Sequence, residues 1–220
     1  MKRNIPPITC KSPGALFERI RIDERDASLC VIVNEFEEYG LIIKDGLVLD
    51  TLQGGKSFVF TKDEVKRGGV ALAEAVFISK KAKIQLGWGT PAQSEFIDPA
   101  HHLSVRVGMN GTAGVQVANP RKFYAEIVGR NVSYDKDALR ERVLPRLLSC
   151  VKSAAADYMA DSRLTYLHLE RSLDRIAEAV KPKLSRAFTE EYGLAVPELT
   201  IDGAIINADD KKALLARARQ

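Results

Sequence analysis

The first half of the chain alternates short apolar runs with turn-forming pairs, which is the pattern of β-strands joined by tight turns. Asp45-Gly46 stands between two such runs and favours a type I′ hairpin, since both of its positions need positive φ. Gly54-Gly55 and Gly68-Gly69 bound the strands that follow. Residues from about 16 to 117 are therefore predicted to form an antiparallel meander, with strands at residues 29–33, 40–43, 47–49, 58–60, 70–78 and 83–88.

Asn110-Gly111 interrupts the last part of this region. Apolar residues alternate with polar ones at 105–107 and again at 115–117, on either side of the pair. Because Asn-Gly is a strong turn signal, the two segments are predicted to form a second hairpin or a slightly longer loop.

The period of the apolar positions changes from two to about 3.6 at Asn119-Pro120. Asn119 is the predicted N-cap and Pro120 the first helical residue of a short helix that presents Phe123, Ile127 and Val128 on one face. Two long apolar stripes with helical spacing follow, Leu139, Val143, Leu147, Val151, Ala154 and Tyr158, then Leu173, Ile176, Val180, Leu184, Phe188 and Tyr192.

Each long stripe contains one proline, Pro145 in the first and Pro182 in the second. An interior proline removes a backbone hydrogen bond and costs about 3 kcal/mol. We therefore expect a kink at Pro145, or a break that makes it the start of a second helix, and another bend at Pro182. Gly193 follows the second stripe and is predicted to cap the helix in the left-handed conformation.

The pattern returns to period two after Gly193. Leu199, Ile201 and Ile205 alternate with polar residues, which predicts a half-buried strand that returns to the sheet. Residues 209–220 predict the first turns of a helix with too few apolar side chains to form a core alone, so it should pack on another element or another copy. The predicted fold class is α+β, an antiparallel meander packed against C-terminal helices with a late return strand.

The charge distribution is more informative than the net charge of +4. Residues 1–25 carry +3, residues 209–220 carry +2, and the remainder carries −1. A basic excess this small does not indicate nucleic-acid binding. Each Lys or Arg near an anionic membrane contributes about 1 kcal/mol to the free energy of membrane binding. The basic excess at either end of the chain therefore gives only weak attraction to the membrane. Stable membrane attachment would need many copies or a separate anchor.

The cysteines and the apolar run lengths indicate the compartment. Cys10, Cys30 and Cys150 are odd in number and widely spaced, so they predict neither a disulfide framework nor a metal site, and a reducing cytosol is the simplest interpretation. The longest apolar run, residues 29–33, is far shorter than the roughly 20 residues of a spanning helix. The N-terminus lacks the apolar stretch of a signal peptide.

The chain contains only weak candidates for catalytic or ligand-binding motifs. Residues 50–57 end like a phosphate-binding loop, but the first glycine is Asp50 and a strand is predicted to follow where a helix is required, so a plain turn is favoured. His101 and His102, with Asp98 nearby, could belong to a metal, enzyme or ligand site. No nucleophile motif is present, although a triad assembled across the fold stays open. Asp98 before Pro99 favours an Asx-type turn.

The most distinctive stretch of the chain is Leu86-Gly-Trp-Gly-Thr-Pro91. Together with the segments Phe96-Ile-Asp-Pro99, Val105-Arg-Val-Gly108 and Asn119-Pro120, it resembles the SPFH (stomatin, prohibitin, flotillin) or band 7 superfamily, and within it a bacterial branch labelled virion-core-protein-like. The resemblance covers residues 26–207. It divides the chain into an N-terminal basic extension with a short strand (1–25), an SPFH/band 7-like domain (26–207) and the start of a C-terminal helix (208–220).

The resemblance implies a non-enzymatic scaffold or adaptor that self-associates and recruits partners at the cytoplasmic face of the membrane. Relatives in this branch are associated with phage-shock-type membrane-maintenance proteins, and the superfamily forms large homo-oligomers. Neither a cofactor nor a metal is expected, and nucleic acid is not an expected partner. Many relatives carry an N-terminal hydrophobic anchor or a zinc ribbon, and the run lengths and cysteine positions predict neither here.

The distinctive stretch also suggests an interaction surface. Gly87 and Gly89 let the backbone turn tightly around Trp88, and Pro91 fixes the segment that follows. One hypothesis is that Trp88 and Phe96 form a contact surface for another subunit, a partner or lipid headgroups. The alternative is that Trp88 packs on the domain's own sheet and the glycines only let it fit.

Overall fold

The protein is described here by a computed structural model, which covers residues 7–11, 15–22, 32–33, 35–61, 63, 73–129 and 136–219. The chain divides into two compact units. Unit one comprises residues 1–83, 116–134 and 191–194, and unit two comprises residues 84–115, 135–190 and 195–220. The described residues contain antiparallel sheets and C-terminal helices, which confirms the predicted α+β class.

The strands are β1 Phe17–Arg21, β2 Ile32–Val33, β3 Glu38–Lys44, β4 Leu47–Gln53, β5 Ser57–Phe58, β6 Glu74–Ser79, β7 Ile84–Gly89, β8 Ser94–Ile97, β9 Ser104–Val117 and β10 Leu194–Ile206. The helices are α1 Pro120–Phe123, α2 Lys136–Ser162, α3 Leu173–Tyr192 and α4 Ala208–Arg217. A π-helical turn, Tyr124–Val128, continues α1, and a 3₁₀ segment, Tyr166–Ser172, leads into α3.

Unit one contains a four-stranded antiparallel sheet in the order β1-β6-β3-β4. The β3–β4 hairpin turns at Asp45-Gly46 as predicted, with φ of 51° and 79°. Strand β6 lies between β1 and β3, so neighbours in this sheet are not always neighbours in sequence. Of the predicted strand at 29–33 only β2 is described, and Gly68-Gly69 and Cys30 lie outside the described residues.

The two faces of this sheet are covered differently. One face packs into a buried cluster of eight residues, Ile22, Ile32, Ile42, Leu52, Phe60, Ala73, Ala75 and Phe77. The other face meets α1, where the Phe17 ring lies edge-on to Phe123 at 6.5 Å. Helix α1 begins as predicted, because Asn119 accepts a hydrogen bond from the Lys122 N–H at 3.1 Å and Pro120 follows it.

Strand β9 is the main correction to the predicted topology. Asn110-Gly111 forms no turn, and residues 104–117 are one continuous strand that pairs with β7, β8 and β10. The predicted second hairpin was therefore wrong. A Cβ at Gly111 would overlap the Thr200 carbonyl oxygen, so glycine serves there to let the β10 backbone approach.

Both long helices continue through their prolines. Helix α2 contains Pro145 and helix α3 contains Pro182, so the predicted start of a second helix at Pro145 was wrong. A proline removes only one N–H from the helical ladder, and the apolar stripe of α2 is buried on both sides of it, at Leu139 and Val151. Helix α3 ends at Tyr192, and the φ of 71° at the following Gly193 confirms the predicted cap.

Strand β10 departs from simple alternation near its end. Leu199 and Ile201 are buried as predicted, but the next buried residue is Ala204, and Ile205 is 70% exposed. The alternation therefore slips by one residue beside Gly203, as it does at a β-bulge. The prediction that Ile205 is on the buried face was wrong.

Candidate functional site

The five residues predicted as an interaction surface, Gly87, Trp88, Gly89, Pro91 and Phe96, lie in unit two on β7, on β8 and between them. Trp88 is only 4% exposed and Phe96 is also buried, whereas Pro91 is exposed. Both rings are on the same face of the sheet, since Trp88 pairs with Gly111 and Phe96 with Val105, two odd-numbered residues of β9. The burial of Trp88 fits the alternative interpretation of the sequence, in which the ring packs on the sheet of its own domain.

Gly111 makes the space that Trp88 occupies. A Cβ at position 111 would lie 2.9 Å from Trp88 Cζ2, in addition to its overlap with Thr200. In β7, by contrast, a Cβ at Gly87 would meet no heavy atom within 4 Å. The Gly87 carbonyl accepts a 2.6 Å hydrogen bond from Arg140 Nε on helix α2. The glycine that the ring requires is therefore on the partner strand rather than beside the ring in sequence.

Asp98 is a fully buried carboxylate at the end of β8. Its Oδ1 accepts hydrogen bonds from the N–H groups of Ala100 and His101 at 3.1 and 2.9 Å, which confirms the predicted Asx-type turn. Its Oδ2 accepts from Thr165 Oγ1 and from the Tyr166 N–H, both at 2.7 Å. One carboxylate thus fixes both its own turn and the start of the 3₁₀ segment, which indicates a structural role.

The two histidines of this turn do not converge on a ligand. His101 Nδ1 lies 3.4 Å from Asp98 Oδ1, while His102 is exposed and has a φ of 55°. Across the described ranges, no group of three or more His, Cys, Asp or Glu side chains could hold a metal ion. Asp98 has its lone pairs occupied by the turn and the 3₁₀ segment, so nothing in the geometry supports the alternative enzyme or ligand site at these residues.

The buried ring of Tyr166 packs against Phe96, one of the residues of the predicted interaction surface. Its ring centroid lies 5.4 Å from that of Phe96. Burial, and secondarily the negative charge of Asp98, raise the pKa of the Tyr166 hydroxyl above its ordinary value of 10.0. The ring therefore stays neutral at physiological pH, as a core residue should.

Residues 50–57, which end like a phosphate-binding loop, form a plain turn. Asp50 lies in β4, both Gly54 and Gly55 have positive φ, and β5 follows at Ser57. A phosphate-binding loop would lead into a helix N-terminus. The interpretation as a turn between strands is confirmed.

An arginine cluster in unit one was missed by the sequence analysis. Arg19 and Arg21, on β1, both lie near Glu74 of β6, with Nε–O distances of 3.5 and 3.8 Å. The Arg19 guanidinium also lies over the Tyr124 ring at 5.9 Å and donates a 2.5 Å hydrogen bond to the Gly129 carbonyl. A possible signal was the period-two spacing of Phe17, Arg19 and Arg21, which places them on one face of a strand.

Several large apolar side chains are exposed. In unit one they are Phe36, Leu47, Leu49 and Val59, and in unit two they are Ile97, Ile205 and Leu215. Phe36 and Leu47 are more than 70% exposed, at 74% and 71%. None of these side chains is among the five residues of the predicted interaction surface, although Ile97 directly follows Phe96 in β8.

Two comparisons bear on the family. The family model described as SPFH domain-Band 7 family matches residues 38–220, which is more than half of the chain. No curated protein matches the chain. None of the described helices combines the length and the hydropathy that a membrane crossing requires.

Proposed function

Because this chain belongs to the SPFH domain-Band 7 family, we propose that it is a non-enzymatic scaffold that self-associates and recruits partners at the cytoplasmic face of a membrane. The match over residues 38–220 carries the proposal, since domains of this family are generally scaffolds associated with membranes. The Leu86–Pro91 stretch further supports a place in the virion-core-protein-like bacterial branch. Partners of the phage-shock membrane-maintenance type follow from that placement.

Self-association is supported by the edge strand β4. This strand is at one end of its sheet order in unit one, and it carries Leu47 and Leu49, which are both exposed. Exposed apolar residues on an edge strand are a common route to pairing between chains. A second copy of the chain would cover the two leucines.

Membrane contact in this proposal depends on the number of copies. The net charge of +4 is concentrated at the chain ends, and each basic residue contributes only about 1 kcal/mol near an anionic surface. A single chain would bind weakly and in a salt-sensitive way. An oligomer presents many such ends at once, which multiplies the attraction without any new contact.

The proposal is tested by light scattering of the purified chain over a range of concentrations, run beside flotation with anionic vesicles and a crosslinking pull-down. We expect masses above the monomer, vesicle binding that weakens with salt, and capture of membrane-maintenance proteins. Leu47→Asn should reduce the mass, whereas Ile205→Asn removes an equally exposed apolar residue in unit two and serves as the control. A monomeric mass at high concentration, with no vesicle binding at low salt, would overturn the proposal.

A further inference from the structure

Unit one contains an open cavity of about 460 Å³ whose lining includes two arginines and a tyrosine. We propose that this cavity binds a singly charged oxyanion, a phosphate group in diester or monoanionic form. The described residues that line it are Arg19, Arg21, Asp45, Gly46, Glu74, Tyr124 and Gly129. The proposal goes beyond the scaffold role and does not depend on it.

Arg19 is the central observation. Its side chain is only 10% exposed, although a guanidinium carries five N–H donors that must be satisfied when buried. One donor reaches the Gly129 carbonyl, and the Nε–H has no hydrogen-bond partner within the part of the chain that the structure describes. Glu74 is close enough to pair electrostatically but leaves the Nε–H unbonded. A largely buried arginine with an unbonded Nε–H, lining a cavity, favours an oxygen ligand.

Arg21 supplies a second cation that can move. Its side chain is 86% exposed, and its 3.8 Å distance to Glu74 is long for an ion pair. Pairing across such an exposed contact contributes little stability, so the guanidinium can turn toward a ligand at small cost. Arg19 and Arg21 lie on one face of β1, and each guanidinium is a planar fork of N–H donors of the kind that binds phosphate oxygens.

The other lining groups define the charge of the ligand. Glu74 and Asp45 are carboxylates, so they offset the two arginines and disfavour a doubly charged anion. Burial raises the pKa of Tyr124, so its hydroxyl keeps its proton at neutral pH and can donate a hydrogen bond. A monoanion with several acceptor oxygens fits this set better than a free dianion.

The experiment is a titration of the full-length, ¹⁵N-labelled chain with dimethyl phosphate, a permanent monoanion, followed by NMR. We expect the Arg19 Nε–H resonance and the backbone amides of β1 to shift with millimolar affinity. Arg21→Gln should weaken binding about tenfold, because it removes one charge-assisted contact. Glu74→Gln should strengthen binding, because it removes a competing carboxylate of the same shape.

Lys81→Gln is the matched control, since Lys81 is an exposed cation of unit one that pairs with Glu37 at 2.8 Å. No shift at Arg19 at tens of millimolar ligand would overturn the proposal. Equal weakening by Arg21→Gln and Lys81→Gln would also overturn it, by showing attraction to net charge alone. Vesicle flotation then separates the sources: Arg21-dependent binding to phosphatidylglycerol indicates a lipid headgroup, and dimethyl phosphate binding without it indicates a soluble phosphate compound.

Discussion

The backbone N–H of Tyr166 donates a 2.7 Å hydrogen bond to Asp98, 68 residues earlier in the chain. The same carboxylate oxygen accepts from Thr165, and its other oxygen accepts from two N–H groups of its own turn. A charge buried in this way is stabilised only because every side of it is hydrogen-bonded. The turn after β8 and the 3₁₀ segment before α3 are therefore held by a single side chain.

Replacing Asp98 should destabilise unit two strongly. We expect Asp98→Ala to lower the free energy of unfolding by about 3 kcal/mol, because four donors lose a charged acceptor. Asp157→Ala is the control, since Asp157 forms an exposed pair with Lys183 and should change stability by less than about 1 kcal/mol. Urea denaturation of the three proteins measures both values. Similar effects of the two changes would show that the Asp98 network is not formed in solution.

The local features of the fold were predictable because their causes are local. The hairpin turn at Asp45-Gly46, the helix N-cap at Asn119 and the helix C-cap at Gly193 each depend on a few neighbouring residues. Each is found where the sequence indicates. The role of Gly111 was not predictable in this way. Asn-Gly is a turn signal only if no other strand occupies the space, and the approach of Thr200, 89 positions later, decides against a turn.

Gly111 and Gly87 provide a matched pair of substitutions around Trp88. Gly111→Ala should reduce the free energy of unfolding by about 2 to 3 kcal/mol, because the added methyl group overlaps Thr200 and contacts the indole ring. Gly87→Ala should change it by less than about 0.5 kcal/mol, since the methyl group enters open space. Chemical denaturation measures both. The chain has a single tryptophan, so its emission maximum should shift only in Gly111→Ala.

The candidate site shows the same division between local and distant causes. The Asx turn at Asp98 follows from the sequence, whereas its bonds to Thr165 and Tyr166 depend on tertiary packing. The Arg19 cluster combines β1, β6 and the turn after α1, so no single segment contains its signal. Trp88 was singled out for its size and its flanking glycines, and these features suit a buried ring as well as a surface anchor.

Ionisation of Tyr166 should limit stability at high pH. Its pKa in the folded chain is raised, so above pH 10 the unfolded chain loses this proton while the folded chain retains it. The free energy of unfolding is therefore unaffected by ionisation of this group below pH 10. Above pH 10 it declines by up to about 1.4 kcal/mol per pH unit. Urea denaturation at pH 8 and pH 11 measures the decline. Tyr166→Phe should make it shallower without abolishing it, because the pKa of Tyr124 is raised as well. An unchanged slope would contradict the prediction.

Arg106 should hold the start of helix α4 against β9. Its Nε and Nη2 donate to the two oxygens of Asp210 at 2.9 and 3.0 Å, and its N–H donates to the same carboxylate at 2.8 Å. These bonds lower the pKa of Asp210, so the contact should persist under mildly acidic conditions and be lost only as the pH falls through that lowered value. We expect Arg106→Gln to accelerate hydrogen exchange of the α4 amides several-fold, because a bidentate pair is replaced by one weak bond. Arg186→Gln removes a similar exposed arginine, paired with Glu190 inside α3, and should leave α4 exchange unchanged. Equal exchange in both variants would show that α4 is held by its buried Leu214 and not by Arg106.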